Sequence, residues 1–154
     1  DKQIKNIIEF GCCQGDTTKV LSLIAEKVYA SDISEENIEI AKNKCMGDLN
    51  IEFEIKDVNT EWNYPNPDLV YLDALHDYKG ILQGLNKIKT QYPNTTIIMD
   101  DYGHIMNTVK PIIDNMIKEN KIEVLKWLGE DKGYVATNDK VFIDKEGLIF
   151  KFKN

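Results

Sequence analysis

The sequence predicts an α/β fold: a doubly wound sheet of five parallel strands with helices on both faces and an antiparallel C-terminal edge. Three observations carry this. Short apolar, β-branched runs alternate with amphipathic stretches as far as Lys121; all of these runs but Ile51 to Ile55 stop directly at a glycine or an acidic residue; and beyond Lys121 the helical rhythm stops. With 154 residues, 42% of them hydrophobic and 29% charged, the chain has the length of one domain and material for a core. A single domain over 1–154 is expected, with 121–154 supplying the antiparallel strands.

Ile4 to Phe10 is apolar and β-branched and stops at Gly11, so it reads as a buried first strand entering a tight turn. From Asp16, a candidate N-cap, Val20, Leu21, Leu23 and Ile24 recur at helical spacing, and Val28 to Ser31 closes a β-α-β unit. Ser34, with Asn37 and the acidic pair Glu35-Glu36, opens a second helix through Ile38, Ala41 and Cys45. Ile51 to Ile55 alternates as a third strand. Pro65 and Pro67 punctuate the next connection, and Asp68 to Leu72 is the fourth strand, followed by a helix across Ile81, Leu85 and Ile88. Thr95 to Met99 is the fifth strand. Val109 to Ile117 is helical, with Pro111 placed in its first turn or at a kink. Ile122 to Leu128, Tyr134 to Thr137, Val141 to Ile143 and Leu148 to Phe152 are strand-like with short turns between them, which requires antiparallel pairing. The lysines of 151–153 suit a solvated edge strand guarding against aggregation. The whole is a Rossmann-like arrangement.

Composition excludes several classes of function. Nineteen Lys and Arg against 26 Asp and Glu leave a net charge of −7, so no nucleic-acid partner is expected. No apolar run reaches the roughly 18 residues needed to cross a bilayer, and the first residues carry no signal architecture; no membrane association and a cytoplasmic location are expected. The three cysteines, Cys12, Cys13 and Cys45, form neither a disulfide framework nor a paired metal motif, and they read as buried free thiols.

In open parallel sheets ligands bind beyond the carboxyl ends of the strands, so the residues just after each strand carry the functional signal. The first such loop, Glu9-Phe10-Gly11-Cys12-Cys13-Gln14-Gly15, lacks the glycine register of a dinucleotide fingerprint. It has an acid two residues before Gly11, a second glycine at Gly15, and Asp32 at the end of the second strand. The fourth strand ends Leu72-Asp73-Ala74-Leu75-His76-Asp77-Tyr78 and the fifth Met99-Asp100-Asp101-Tyr102. Neighbouring strands would bring Asp73 close to Asp100 and Asp101. Three crowded carboxylates repel one another unless a cation sits among them, and oxygen ligands suit a hard divalent ion, Mg²⁺ first. The bland alternatives are a simple strand-to-helix turn at Gly11 and Gly15, a helix cap or exposed loop acid at Asp32, a capped turn at Asp73 and a helix cap at the Asp100-Asp101 pair. His104 is expected at a helix start, Tyr78 and Tyr102 in packing or at the border of a substrate pocket, and Trp62 and Trp127 in core or surface.

Ile7 to Thr18 followed by Ser31-Asp32-Ile33 resembles the first two motifs of class I S-adenosylmethionine-dependent methyltransferases. Leu72-Asp73-x-x-His76-x-Tyr78 with Asp100-Asp101-Tyr102 resembles the metal-dependent small-molecule O-methyltransferases, of the macrocin type and more distantly catechol O-methyltransferase. The resemblance covers about residues 6 to 105. It implies that Glu9, Gly11, Gly15, Asp32, Ile33 and Asp57 bind S-adenosyl-L-methionine, Asp32 gripping the ribose hydroxyls and Asp57 the adenine amino group. It implies Asp73, Asp100 and Asp101 as ligands of a divalent metal and His76 as general base. Cys13 departs from the family's commonest loop, which has glycine there. The implied activity is methyl transfer to a hydroxyl of a small acceptor, EC 2.1.1. A cofactor-binding but non-catalytic partner domain and a metal-independent methyltransferase are the alternatives. A homo-oligomer whose neighbour covers the acceptor is one arrangement left open.

Overall fold

The computed structural model describes residues 4–74, 77–104, 108–129, 134–135, 141–142 and 144–153, with backbone only at 134–135 and 141–142. The chain divides into two compact units, 1–74 and 75–154.

The first unit contains β1 (Ile4–Phe10), α1 (Asp16–Ile24), β2 (Ala25–Asp32), α2 (Glu35–Lys44), β3 (Ile51–Ile55) and β4 (Leu69–Leu72). Its strands lie in the order β3-β2-β1-β4, every pair parallel. The continuous apolar run in β1 follows from this: Ile7, Ile8 and Phe10 are buried, as expected of a strand covered on both faces. α1 differs from expectation at its start. Gly15, with φ +84, is the N-cap, and Asp16 is the first helical residue, its carboxylate 2.8 Å from the Lys44 ammonium. α2 begins as the sequence implies: Ser34 Oγ accepts from Asn37 N at 3.2 Å, with Glu35 and Glu36 in the first turn and Lys42 and Lys44 in the last.

The connection from β3 to β4, residues 56–68, contains no helix. Its aromatic side chains take over the covering task. Trp62 is buried 5.0 Å from the Phe10 ring and donates its indole N–H to Val58 O at 2.7 Å. The Tyr64 hydroxyl donates to Glu54 at 2.6 Å. Asp68 lies just outside the strand expected to include it, because its carboxylate accepts from the backbone of Lys5 and Asn6 at 2.8 and 3.1 Å.

The second unit contains α3 (Tyr78–Gln91), β5 (Thr96–Met99), α4 (Val109–Lys118), β6 (Ile122–Leu128), β7 (Tyr134–Val135), β8 (Val141–Phe142) and β9 (Gly147–Phe152). Asp77 caps α3, accepting from Gly80 N at 2.9 Å, and Ile81, Leu85 and Ile88 form its buried stripe. Pro111 falls in the first turn of α4, where no helical N–H is lost. β9 pairs antiparallel with both β5 and β6, so the C-terminal strand is an inner one. This corrects the edge-strand reading of 151–153: Leu148 and Phe150 are buried and β6 lies on the outside, broken by an irregularity between Val124 and Lys126. β7 and β8 pair only with each other.

Cys12 and Cys45 are buried free thiols, whereas Cys13 is exposed, because its left-handed φ of +46 turns it out at the tip of the loop. Trp127 is partly exposed. His104 does not start a helix, and Asp100-Asp101 caps none, since α4 begins only after Thr108; His104 N instead donates to Asp101 O at 3.2 Å within a turn. Among the described residues no helix is long and apolar enough to cross a membrane.

Candidate functional site

In the first unit the four parallel strands run the same way, so their carboxyl ends share one rim. Gly11 and Asp73 directly follow β1 and β4 there, Asp32 is the last residue of β2, and Asp57 lies two residues beyond β3.

Gly11 turns the chain out of the sheet. The amides of Gly11 and Cys12 both donate to Ser31 O, at 2.8 and 3.0 Å, which ties the loop to the end of β2. Gly11 has φ +85, and a Cβ there would lie 2.1 Å from Asp73 O, so no larger residue fits between β1 and β4. Gly15 is needed for another reason: its Cβ would meet Ala41 at 3.0 Å, so the start of α1 packs directly on α2.

Asp32 is the best-organised polar group on the rim. Oδ2 accepts from Cys13 N at 2.9 Å; Oδ1 accepts from Ser34 N at 2.9 Å and Asn37 Nδ2 at 3.3 Å. Ile33, beside it, is 73% exposed, an apolar surface held out to solvent next to a carboxylate. Asp57 is exposed and accepts from Asn59 N at 2.8 Å, shaping the turn after β3. The Asp73 amide donates to Phe10 O at 3.0 Å, which fixes the end of β4 against β1.

Glu9 is wholly buried one residue before Phe10. Neither of its oxygens makes a hydrogen bond of good geometry, and neither does Thr18 Oγ1, the hydroxyl that faces it. Burial pushes its carboxyl up to about 7; Thr18 offsets part of that, and the negative charge of Asp73 adds to it. Burial, then Glu9, raises the Cys12 thiol well above its usual range, so this cysteine stays protonated. An orphaned buried carboxylate beneath a glycine turn fits a cationic ligand above the turn, and so does a carboxylate on the rim with lone pairs to spare. A sulfonium compound bearing an amino group and a ribose has those features.

In the second unit Asp100 and Asp101 follow β5, with Asp101 buried and in the left-handed region at φ +60. His76 lies outside the described residues. Among the described residues no group of three or more His, Cys, Asp or Glu side chains is placed to hold a metal ion. The expectation that Asp73, Asp100 and Asp101 ligate one therefore finds no support in the geometry.

The sequence reading named neither Thr18 nor the Cys13 amide. Thr18 could have been found as a small hydroxyl in the turn of α1 that packs on β1. The Cys13 contact is made by backbone, which no residue pattern displays.

The methyltransferase domain family matches residues 7–90, more than half of the 154-residue chain. No curated protein matches. Among solved structures, an S-adenosylmethionine-dependent methyltransferase from Clostridium acetobutylicum is similar with a TM-score of 0.72 at 14% identity, over 97% of this chain and 85% of that one. The protein SMU.1697c from Streptococcus mutans, solved with S-adenosylhomocysteine, gives 0.71 at 16% identity, over 97% and 89%. The N-methyltransferase NodS from Bradyrhizobium japonicum, also solved with S-adenosylhomocysteine, gives 0.68 at 16%, over 98% and 78%. At these identities the likeness establishes the fold, which is the α/β, Rossmann-like one that the sequence predicts.

Proposed function

Since the chain belongs to the methyltransferase domain family, we propose that it moves the methyl group of S-adenosylmethionine to a hydroxyl of a small cytoplasmic acceptor. The observation that carries this reading is the common rim of Gly11, Asp32, Asp57 and Asp73 above the orphaned carboxylate of Glu9.

In this reading the Gly11 turn lets the cofactor's amino-acid end approach the backbone, and Gly15 holds the loop's far side. Asp32 receives the ribose. Its Oδ2 has a lone pair left, and the 3.3 Å contact from Asn37 is the weakest for a ligand hydroxyl to displace. Ile33 offers an apolar face to the adenine and Asp57 an acceptor for its amino group. The cofactor supplies an electrophilic methyl on a positive sulfur. The acceptor oxygen forms a bond to that carbon as the carbon–sulfur bond breaks, leaving a neutral thioether. The hydroxyl proton goes to His76, whose ordinary pKa near 6.5 suits it to accept at neutral pH.

Divalent-metal assistance is a finer proposal that rests on the sequence pattern of Asp73, Asp100 and Asp101. With no ligand cluster among the described residues, no step above runs through an ion. A nitrogen acceptor is the second reading, favoured by the N-methyltransferase among the similar structures. A non-catalytic partner domain would bind cofactor and methylate nothing.

The test is transfer of labelled methyl from S-adenosylmethionine to hydroxylated metabolites and to amines, with and without chelator, alongside calorimetry of cofactor binding. Labelled ether products are expected. Labelled amines alone would shift the reading to nitrogen, and binding without any product would remove catalysis.

A further inference from the structure

After β5 the chain makes a turn in which a carboxylate is buried and in the left-handed backbone region at once: Asp101 is 3% exposed with φ +60. Each feature costs stability, and together they persist only where the surroundings over-determine them. Here they do. Asp101 N donates to Asp100 Oδ1 at 2.9 Å, and the amides of Tyr102 and Gly103 donate to Glu146 O and Lys145 O, each at 2.8 Å. A Cβ on Gly103 would lie 2.6 Å from Lys145 O, so the two segments are pressed together.

Among the described residues, Lys110 ties this turn to two other segments. Lys110, on the first turn of α4, donates to the Tyr102 hydroxyl and to Asp144 Oδ2, both at 2.8 Å, and lies 3.3 Å from Asp114 Oδ2. Its ammonium also sits 4.6 Å from the centroid of the Tyr102 ring. Tyr102, itself buried, donates its hydroxyl to Asp114 Oδ1 at 2.6 Å and packs its ring 4.8 Å from that of Trp127. Three segments therefore meet at one cation: the Asp100-Asp101 turn, α4, and the turn that enters β9. A turn serving stability alone would be satisfied by glycine at 101 and an apolar ring at 102 against Trp127. The polar clamp instead holds a charged residue in a conformation it disfavours.

We propose that Lys110 and Tyr102 are positioning residues for methyl transfer, holding the Asp100-Asp101 turn in its active form without touching the reactants. This rests on the finer part of the proposed function, in which the sequence pattern of Asp100 and Asp101 serves the acceptor. Tyr102→Phe deletes only the shared hydroxyl, and Lys110→Met deletes the cation while keeping the stem.

The test combines amide hydrogen exchange, turnover with the best acceptor from the methyl-transfer panel, calorimetry with S-adenosylmethionine, and thermal melting. Expected in both variants are exchange at the Tyr102 and Gly103 amides at least tenfold faster and kcat at least tenfold lower, with cofactor affinity within twofold of wild type. Lys110→Arg should recover kcat to within about threefold. Faster exchange with unchanged kcat would overturn the proposal, because the turn would then be loosened without consequence. So would a parallel fall of kcat, cofactor affinity and melting temperature, the mark of a merely structural clamp. A wild-type chain that binds cofactor but methylates nothing would remove the proposed function and this proposal with it, whereas active wild type with unaffected variants would remove this proposal alone.

Discussion

The backbone N–H of Cys13 donates to Oδ2 of Asp32 over 2.9 Å, joining the glycine loop after β1 to the acid that ends β2. The loop is thereby set around the carboxylate before any ligand arrives. Two charge-assisted hydrogen bonds from a ribose to this carboxylate would contribute several kcal/mol, so Asp32→Ala is expected to weaken S-adenosylmethionine binding by about 100-fold or more in calorimetry. The same change removes the partners of Cys13 N and Ser34 N and lowers the melting temperature. Asp32→Asn keeps an oxygen acceptor for one of them and should recover part of the stability but little of the affinity.

Gly11 and Gly47 form a matched pair for testing the tightness of the rim. Both have positive φ, +85 and +101, but a Cβ on Gly11 meets Asp73 O at 2.1 Å and one on Gly47 meets nothing within 4 Å. Gly47→Ala is expected to cost about 1 kcal/mol in urea unfolding, the strain of a left-handed alanine alone. Gly11→Ala must also push β4 from β1, and should cost roughly 3 kcal/mol or more. Equal costs at the two sites would mean that β4 yields easily at Asp73.

Glu9 links stability and cofactor binding to pH. Unfolded, its carboxyl titrates near the ordinary 4.5; folded, it keeps its proton up to about 7. The folded state therefore holds more protons between these values, and stability from this group is fully present below about 4.5 and is lost as pH rises through about 7. The span is roughly 3 kcal/mol, and Glu9→Gln should flatten it in urea titrations at several pH values. A cationic ligand above the Gly11 turn favours the ionised form. S-adenosylmethionine should accordingly bind more tightly as pH rises through about 7, with proton release on binding, and Glu9→Gln should abolish that slope. A pH-independent affinity in the wild-type chain would place the cation elsewhere.

Strand identity was legible because each kind of strand leaves its own signal: the continuous apolar run of Ile4–Phe10 marks a strand covered on both faces, and the alternation of Ile51–Ile55 marks one only half covered. Ser34 as the cap of α2 was equally plain, since a hydroxyl before two acids has a local reason to be there. The order of β5, β9 and β6 was not legible, because pairing of distant strands leaves no mark in local periodicity. The start of α1 was read one residue late because left-handed Gly15, with no side chain to mark it, is the cap, and His104 was read at a helix start although α4 begins only after Thr108. On the rim, the strand-end residues Gly11, Asp32, Asp57 and Asp73 could be read from the sequence, but the burial that leaves Glu9 without a hydrogen-bond partner could not.

Chelation separates cofactor binding from chemistry. Every residue proposed to bind S-adenosylmethionine lies in the first unit, and the described residues form no ligand cluster, so EDTA should leave cofactor affinity unchanged to within about twofold. Metal assistance, if the sequence pattern of Asp73, Asp100 and Asp101 is a ligand set, acts instead on the acceptor, by polarising its hydroxyl and lowering its pKa. Turnover with a hydroxylated acceptor is then expected to fall at least about tenfold on chelation and to return with Mg²⁺ or Mn²⁺, and Asp101→Ala should lose that return while still binding cofactor. Turnover indifferent to chelator in the wild-type chain would leave His76 as the proposed base without an ion. Loss of cofactor binding on chelation would show instead that the metal belongs to the first unit.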